Sequence, residues 1–330
     1  MPRPRVYVAR RLPDPAMVLL REHADIAVWG TDEVPPPRDV LLRESAPCDG
    51  LVSLLTDKID TAFLDACKNL KVVSNYAVGF DNIDVDAATA RGVVVTNTPG
   101  VLTETTADFA FTLLMATARR VVEADRYSRE GKWQSWMPML FLGQDVHHAT
   151  LGLVGLGRIG AAMARRARGF DMTVLYHDVV RREDLEREMG LQYTALDDLL
   201  RRSDFVSVHT PLTAQTRHLI GAAQFRQMKE TAILINSARG PIVDQNALVD
   251  ALRARTIAGA GLDVFEVEPI PAGHPLLKLE NVVVAPHIAS ASVVTRTKMA
   301  LMAAENLVAT LGGRRPPNFV NPEVWEHRRS

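Results

Sequence analysis

Cysteine is scarce in this 330-residue chain, which has only Cys48 and Cys67. The pair lacks metal-type spacing and cannot form a disulfide framework, so neither thiol reads as catalytic and a reducing cytoplasm is expected. Charge of one sign is also missing. With 38 basic and 39 acidic residues the net charge is −1, so there is no basic excess to attract nucleic acid or an anionic membrane. The opening "MPRPRVYVAR" lacks the apolar segment of a signal peptide. No window approaches the roughly 18 uninterrupted apolar residues of a membrane span. Low-complexity linkers and short repeats are absent as well.

What is present is a folded-protein composition, 47% hydrophobic and 23% charged, in a chain long enough for two domains. Short apolar runs alternate with helical patterns, the signature of an α/β fold. One strand-like series comprises "RVYVA" (5–9), "IAVW" (26–29), "GLVSLL" (50–55), "KVVSNYA" (71–77) and "GVVVT" (92–96). The helical pattern "LTETTADFAFTLLMATARRVVEA" predicts one long helix over 102–124. A second series follows: "TLGLVG" (150–155), "MTVLYH" (172–177), "DFVSVH" (204–209), "TAILIN" (231–236), "IAGAGLDV" (257–264) and "NVVVAP" (281–286). A last helix is expected over about 289–311. Periodicity leaves two arrangements open: two consecutive domains, or a last helix that returns to the first.

"LGLVGLGRIGAAMARRA" places Gly155, Gly157 and Gly160 at G-x-G-x-x-G spacing between a strand and a helix. The first glycine permits a tight turn, the second lets backbone approach a pyrophosphate, and the third lets helix and strand pack closely. The helix N-terminus then presents free N–H groups and a positive dipole end to phosphates. Asp178 lies 23 positions beyond Gly155, where an acid accepts hydrogen bonds from an adenosine ribose and repels a 2′-phosphate. NAD(H) is therefore favoured. Arg181 and Arg182 keep NADP(H) as the alternative.

Ligands in open α/β sheets bind beyond the carboxyl ends of the strands. Arg239, Asp263, Glu266, Glu268 and His287 all follow strands of the second series. An arginine can hold a carboxylate or polarise a carbonyl. A histidine can deliver a proton, and an acid can keep the imidazole charged. Taken singly, Arg239 equally suits a salt bridge, Glu268 a loop and His287 a buried strand end. Their occurrence together after a nucleotide loop points to hydride transfer.

These segments resemble the D-isomer-specific 2-hydroxyacid dehydrogenases, most closely the glyoxylate/hydroxypyruvate reductases. The likeness rests on "NYAVGFDNID", "TNTPGVLTETTADFAF", "GLVGLGRIG", "DFVSVHTPLTAQTRHLI", "INSARGPIVDQNAL", "AGAGLDVFEVEP" and "VVVAPHIASAS", and spans about 51–311. It implies two Rossmann-like domains, each a doubly wound parallel sheet. A flavodoxin-like substrate domain would comprise 1–99 and 288–330, with an NAD(P)-binding domain at 100–287. Closure of a cleft between domains would exclude water.

The resemblance also implies residue roles. Arg239 matches the substrate-binding arginine, His287 the catalytic histidine, and Glu268, rather than Glu266, its paired acid. Val78 and Gly79 match a loop whose N–H groups bind the substrate carboxylate. Leu54 lines that pocket, and Ser290 lies near the substrate. The cofactor set is Thr106, the loop Gly155, Leu156, Gly157, Arg158, Ile159 and Gly160, then His177, Asp178, Thr210, Pro211, Ser237, Ala238 and Asp263. Asp263 would meet the nicotinamide carboxamide.

Trp136 matches a tryptophan that enters the partner subunit's active site, which implies a homodimer. Ala289 replaces a frequent glycine, a change that could narrow the pocket. D-lactate, D-glycerate 3-phosphate and phosphite dehydrogenases share the triad. Formate dehydrogenases carry Gln at the position of Glu268. An NAD-sensing corepressor is the reading from another functional class.

Overall fold

The computed structural model describes residues 2–31 and 33–329. The chain divides into two compact units, one of residues 1–102 with 291–330 and one of residues 103–290. The crossings lie three residues beyond the expected boundaries at 99/100 and 287/288. The first immediately precedes the helix Thr103–Ala118, and the second lies one residue ahead of the Ser292 cap of the last helix.

The first unit carries a parallel sheet of β1 (Arg5–Val8), β2 (Asp25–Val28), β3 (Gly50–Ser53), β4 (Val72–Asn75) and β5 (Val94–Thr96) in the order β2-β1-β3-β4-β5. Every residue of β3, β4 and β5 is buried, as a sheet covered on both faces requires. The helix Val293–Leu311 belongs to this unit. Its Met299, Ala300, Ala303, Ala304 and Leu307 pack with Val6, Val8, Val52, Val72 and Val94, and the Ser74 hydroxyl donates to the Ala303 carbonyl at 2.8 Å. The last helix therefore returns to the first strand series.

The second unit holds β6 (Thr150–Val154), β7 (Thr173–His177), β8 (Gln192–Tyr193), β9 (Phe205–Val208), β10 (Ile233–Asn236), β11 (Gly259–Leu262) and β12 (Val282–Val284). All pair in parallel, in the order β12-β11-β10-β9-β6-β7-β8. The order reverses between β6 and β9, the switch point at which doubly wound folds bind dinucleotides. Strand β8 has two exposed residues and no apolar run to reveal it.

Two helix expectations need correction. The expected single helix over 102–124 is two, Thr103–Ala118 and Val121–Arg129, broken at Arg120 with φ 53°. The Ala118 carbonyl leaves the helical ladder and accepts instead from the Gln144 N–H at 2.9 Å. Beyond the break, the Arg120 guanidinium bonds Glu123 at 2.7 Å and lies 5.1 Å from the Phe141 ring centre. The last helix starts at Val293 rather than near 289, with the Ser292 hydroxyl accepting from the Thr295 N–H as its cap. The small residues before it are held in another conformation, described below.

Candidate active site

The glycine loop joins β6 to the helix Arg158–Arg168. Gly155 has φ 99°, and a Cβ there would lie 2.8 Å from the His209 backbone. A Cβ at Gly160 would lie 2.3 Å from the Gly155 carbonyl oxygen, whereas one at Gly157 would meet nothing within 4 Å. The first and third glycines are thus required by the fold itself. The second faces open space, as a backbone approached by a pyrophosphate must. The Ser237 hydroxyl, buried just past β10, has no hydrogen-bond partner among the described residues. These features fit a dinucleotide.

Asp178 lies just past β7. Its Oδ2 accepts from the Leu156 N–H at 2.6 Å, tying the strand end to the loop. Arg181 pairs bidentately with Glu186, and Arg182 with Asp184. His177 Nδ1 lies 3.1 Å from the Thr194 carbonyl. Thr106 is buried in its helix, Thr210 and Ala238 are half-buried, and Arg158 and Pro211 are exposed.

Beyond β12, His287 takes φ 56°, an uncommon conformation for a non-glycine residue. Asp263 holds it there. The Asp263 carbonyl accepts from the His287 N–H at 2.9 Å, and its carboxylate accepts from the N–H groups of Ile288 at 2.8 Å and Ala289 at 2.7 Å. Burial pushes the Asp263 carboxyl up from its ordinary range, against these hydrogen bonds. The carboxylate carried over as a nicotinamide contact thus orders the histidine loop in this conformation. The Ala289 side chain is buried rather than projecting into open space. Ser290 follows it, half-buried.

The His287 ring turns its Nδ1 to Oε2 of Glu268 at 2.7 Å. The other Glu268 oxygen accepts from the Phe265 N–H at 3.0 Å. Burial opposes the charge on Glu268, but the His287 bond and charge, the Phe265 N–H and the Arg239 guanidinium outweigh it, and the carboxyl stays below its ordinary range. Arg239 reaches this group because Gly240 packs flush on the Phe265 backbone, where a Cβ would fall 1.9 Å from the Phe265 carbonyl carbon. Its Nη1 donates to the Ala238 carbonyl at 2.9 Å. Arg239, Glu268 and His287 thus converge within one unit. With Nδ1 directed at Glu268, Nε2 is the ring atom left to exchange a proton.

Glu266 does separate work. Its Oε1 lies 2.8 Å from His218 Nε2 and accepts from the Gln245 N–H at 3.2 Å, while its own N–H donates to Gln245 Oε1. His218 and Gln245 lie inside two of the segments that carry the resemblance, but neither directly follows a strand, and nothing local in the sequence pairs them with Glu266.

The NAD-binding-domain model of the D-isomer-specific 2-hydroxyacid dehydrogenases matches residues 111–289. A glyoxylate reductase of Korarchaeum cryptofilum is 60% identical, covering 99% of this chain and 98% of its own. One from Pyrococcus horikoshii is 50% identical, covering 99% and 98%. The chain belongs to the D-isomer-specific 2-hydroxyacid dehydrogenase family. It is an NAD(P)-dependent oxidoreductase. Among solved structures, an NADPH-dependent glyoxylate/hydroxypyruvate reductase of Sinorhizobium meliloti, in complex with NADP and malonate, superposes with a TM-score of 0.87 at 36% identity. The alignment covers 100% of this chain and 99% of that one. A Thermus thermophilus protein gives 0.90 at 47% identity, covering 96% and 99%.

In the first unit, Val78 and Gly79 follow β4. Their carbonyls are tied down, Val78 by the Asn97 amide at 2.8 Å and Gly79 by the Asn75 amide at 2.9 Å. Their N–H groups donate to nothing among the described residues. Leu54 follows β3, its N–H held by Asp57 Oδ2 at 2.8 Å. Trp136, in the second unit, is 81% exposed. Among the described residues no helix is long and apolar enough to cross a membrane, and no cluster of potential metal ligands is present.

Proposed function

We propose that this enzyme reduces small 2-keto acids, glyoxylate and hydroxypyruvate, to glycolate and D-glycerate, with NADH preferred. The observation that carries the reading is the bonded pair His287–Glu268 with Arg239 beside it. The loop 155–160 would hold the dinucleotide, with its ribose on Asp178 and Ser237 among its neighbours. Bound NADH supplies the hydride. The unbonded N–H groups of Val78 and Gly79 hold the substrate carboxylate, and Arg239 orients the keto acid. His287 delivers its Nε2 proton to the forming alkoxide. Glu268 fixes the ring and supports its charge, the arrangement that makes a histidine an effective general acid.

The NADH preference is supported by the Asp178 carboxylate and by the prior engagement of Arg181 and Arg182 with Glu186 and Asp184. A 2′-phosphate would meet a negative charge and two neutralised arginines. The substrate role of residues 1–99 and 288–330 is part of the same proposal. So is a cytoplasmic homodimer, with Trp136 of each chain near the partner's active site.

Initial rates with glyoxylate, hydroxypyruvate, pyruvate and oxaloacetate, each with NADH and NADPH, test the reading. Turnover is expected for the first two and fastest with NADH. No turnover of either acid with either cofactor overturns it.

A further inference from the structure

The first unit has a switch point of its own. Its order β2-β1-β3-β4-β5 reverses between β1 and β3, and ligands of open parallel sheets bind in the crevice beyond the strand ends at such a point. Register pairs Val8 with Val52, and the Ala9 N–H donates to the Val52 carbonyl at 3.0 Å. Arg10 therefore leaves β1 beside Leu54, which leaves β3. Strand β3 pairs in turn with β4, beyond which stand Val78 and Gly79. Neighbouring strands lie about 4.8 Å apart. Arg10, Leu54 and the two unbonded N–H groups thus stand at the ends of three consecutive strands, β1, β3 and β4.

Arg10 is unusual among the chain's arginines. It is only 9% exposed, and a guanidinium so buried is normally matched by a carboxylate. Among the described residues none lies within ion-pair distance of it, and its one hydrogen bond runs from Nη1 to the neighbouring Ala9 carbonyl at 3.0 Å. Asp57 is near enough to act on its charge, but Oδ2 of Asp57 is committed to the Leu54 N–H. No nitrogen of Arg10 is sealed from the surface without a partner, in contrast to the Tyr7 hydroxyl beside it. The remaining donors of the fork are accessible, and burial raises the value of any acceptor that meets them.

We propose that Arg10 recognises the oxygen-bearing C3 substituent of the substrate, specifically the hydroxyl of hydroxypyruvate. The assignment rests on the reaction proposed above. With the carboxylate on the Val78 and Gly79 N–H groups, the strand ends toward β1 offer Leu54 and then Arg10 to whatever C2 carries. Glyoxylate has only hydrogen there and makes no use of the guanidinium. Hydroxypyruvate places an acceptor oxygen within its reach. A site built to bond a polar group discriminates strongly against analogues that lack it.

The test compares kcat/KM for hydroxypyruvate and glyoxylate in wild type, Arg10→Gln and Arg10→Lys. In Arg10→Gln the hydroxypyruvate value should fall roughly 10- to 100-fold further than the glyoxylate value, the worth of a hydrogen bond to a charged group. Arg10→Lys keeps the charge without the planar fork and should lie between. Equal losses for both acids would mean that Arg10 only supports the Asp57 turn, and would overturn the assignment, as would no loss for either. If Arg10→Gln fails to fold, the same ratio in Arg10→Lys decides. Wild type inert toward both acids overturns the proposed reaction itself, and is distinguished by that from a failure of Arg10 alone.

Discussion

Oε2 of Glu268, beyond β11, stands 2.7 Å from Nδ1 of His287, beyond β12, with Arg239, beyond β10, near enough to act on the Glu268 charge. The His287 backbone is held at φ 56° by three hydrogen bonds to Asp263. A ring fixed from both sides is suited to deliver one proton in one direction. His287→Ala should lower kcat/KM roughly 100- to 10,000-fold, the usual worth of a general acid. NADH affinity should change by no more than a few-fold. Stopped-flow turnover and fluorescence titration of NADH measure the two separately, and unchanged turnover would remove His287 from the mechanism.

The parts legible in the sequence were those whose chemistry is local. The glycine spacing, the valine-rich strands and a polar residue after each strand each follow from one short segment. Long-range partners left no such trace. The break at Arg120 depends on Gln144 taking the Ala118 carbonyl, 26 residues away. Nothing local in the sequence marks the Asp263 carboxylate as the acceptor for the Ile288 and Ala289 N–H groups, which only the fold brings to it. Whether the last helix joined the first or second unit was decided by small residues. Ala300, Ala303 and Ala304 fit the sheet of the first unit, and a period of 3.6 says nothing of which sheet is meant.

Two glycines of the loop separate folding from cofactor binding. Gly160→Ala puts a methyl 2.3 Å from the Gly155 carbonyl oxygen, which must shift. Overpacking of this kind costs roughly 1–3 kcal/mol, so urea denaturation should show a lower midpoint. Gly157→Ala meets only open space and should leave the midpoint nearly unchanged while weakening NADH binding at least tenfold. Full NADH affinity in Gly157→Ala would show that the dinucleotide does not approach there.

Asp178 couples cofactor choice to the loop through Leu156. Asp178→Ser removes the charge that opposes a 2′-phosphate. The ratio of kcat/KM for NADPH to that for NADH should rise at least tenfold, with part of the change coming from weaker NADH binding as the Leu156 bond is lost. Parallel initial rates with both cofactors give the ratio. A constant ratio would place the discrimination elsewhere.

Trp133, Trp136 and Met139 are 64%, 81% and 75% exposed. Three large apolar side chains so close together are costly to leave in water and mark an interaction surface. Light scattering after size exclusion should give the mass of a dimer. The double change Trp136→Glu and Met139→Glu should shift it toward monomer and lower kcat/KM. A monomeric wild type would contradict the dimer.

His209 follows β9, with Nε2 2.9 Å from the Ser207 hydroxyl and its backbone against Gly155. Burial pushes its pKa down to about 4 from an ordinary 6.5. The unfolded chain takes up this proton near pH 6.5, and the folded chain only near pH 4. Between those values the unfolded state binds more protons, so stability falls as the pH drops through this window. The full contribution is about 3 kcal/mol, an upper bound because His209 as a whole is only half-buried. Urea denaturation at pH 7 and pH 4.5 should show a smaller acid-side loss in His209→Gln than in wild type. Equal losses in the two proteins would mean that His209 is not the group responsible, and that the acid sensitivity belongs to the carboxylates.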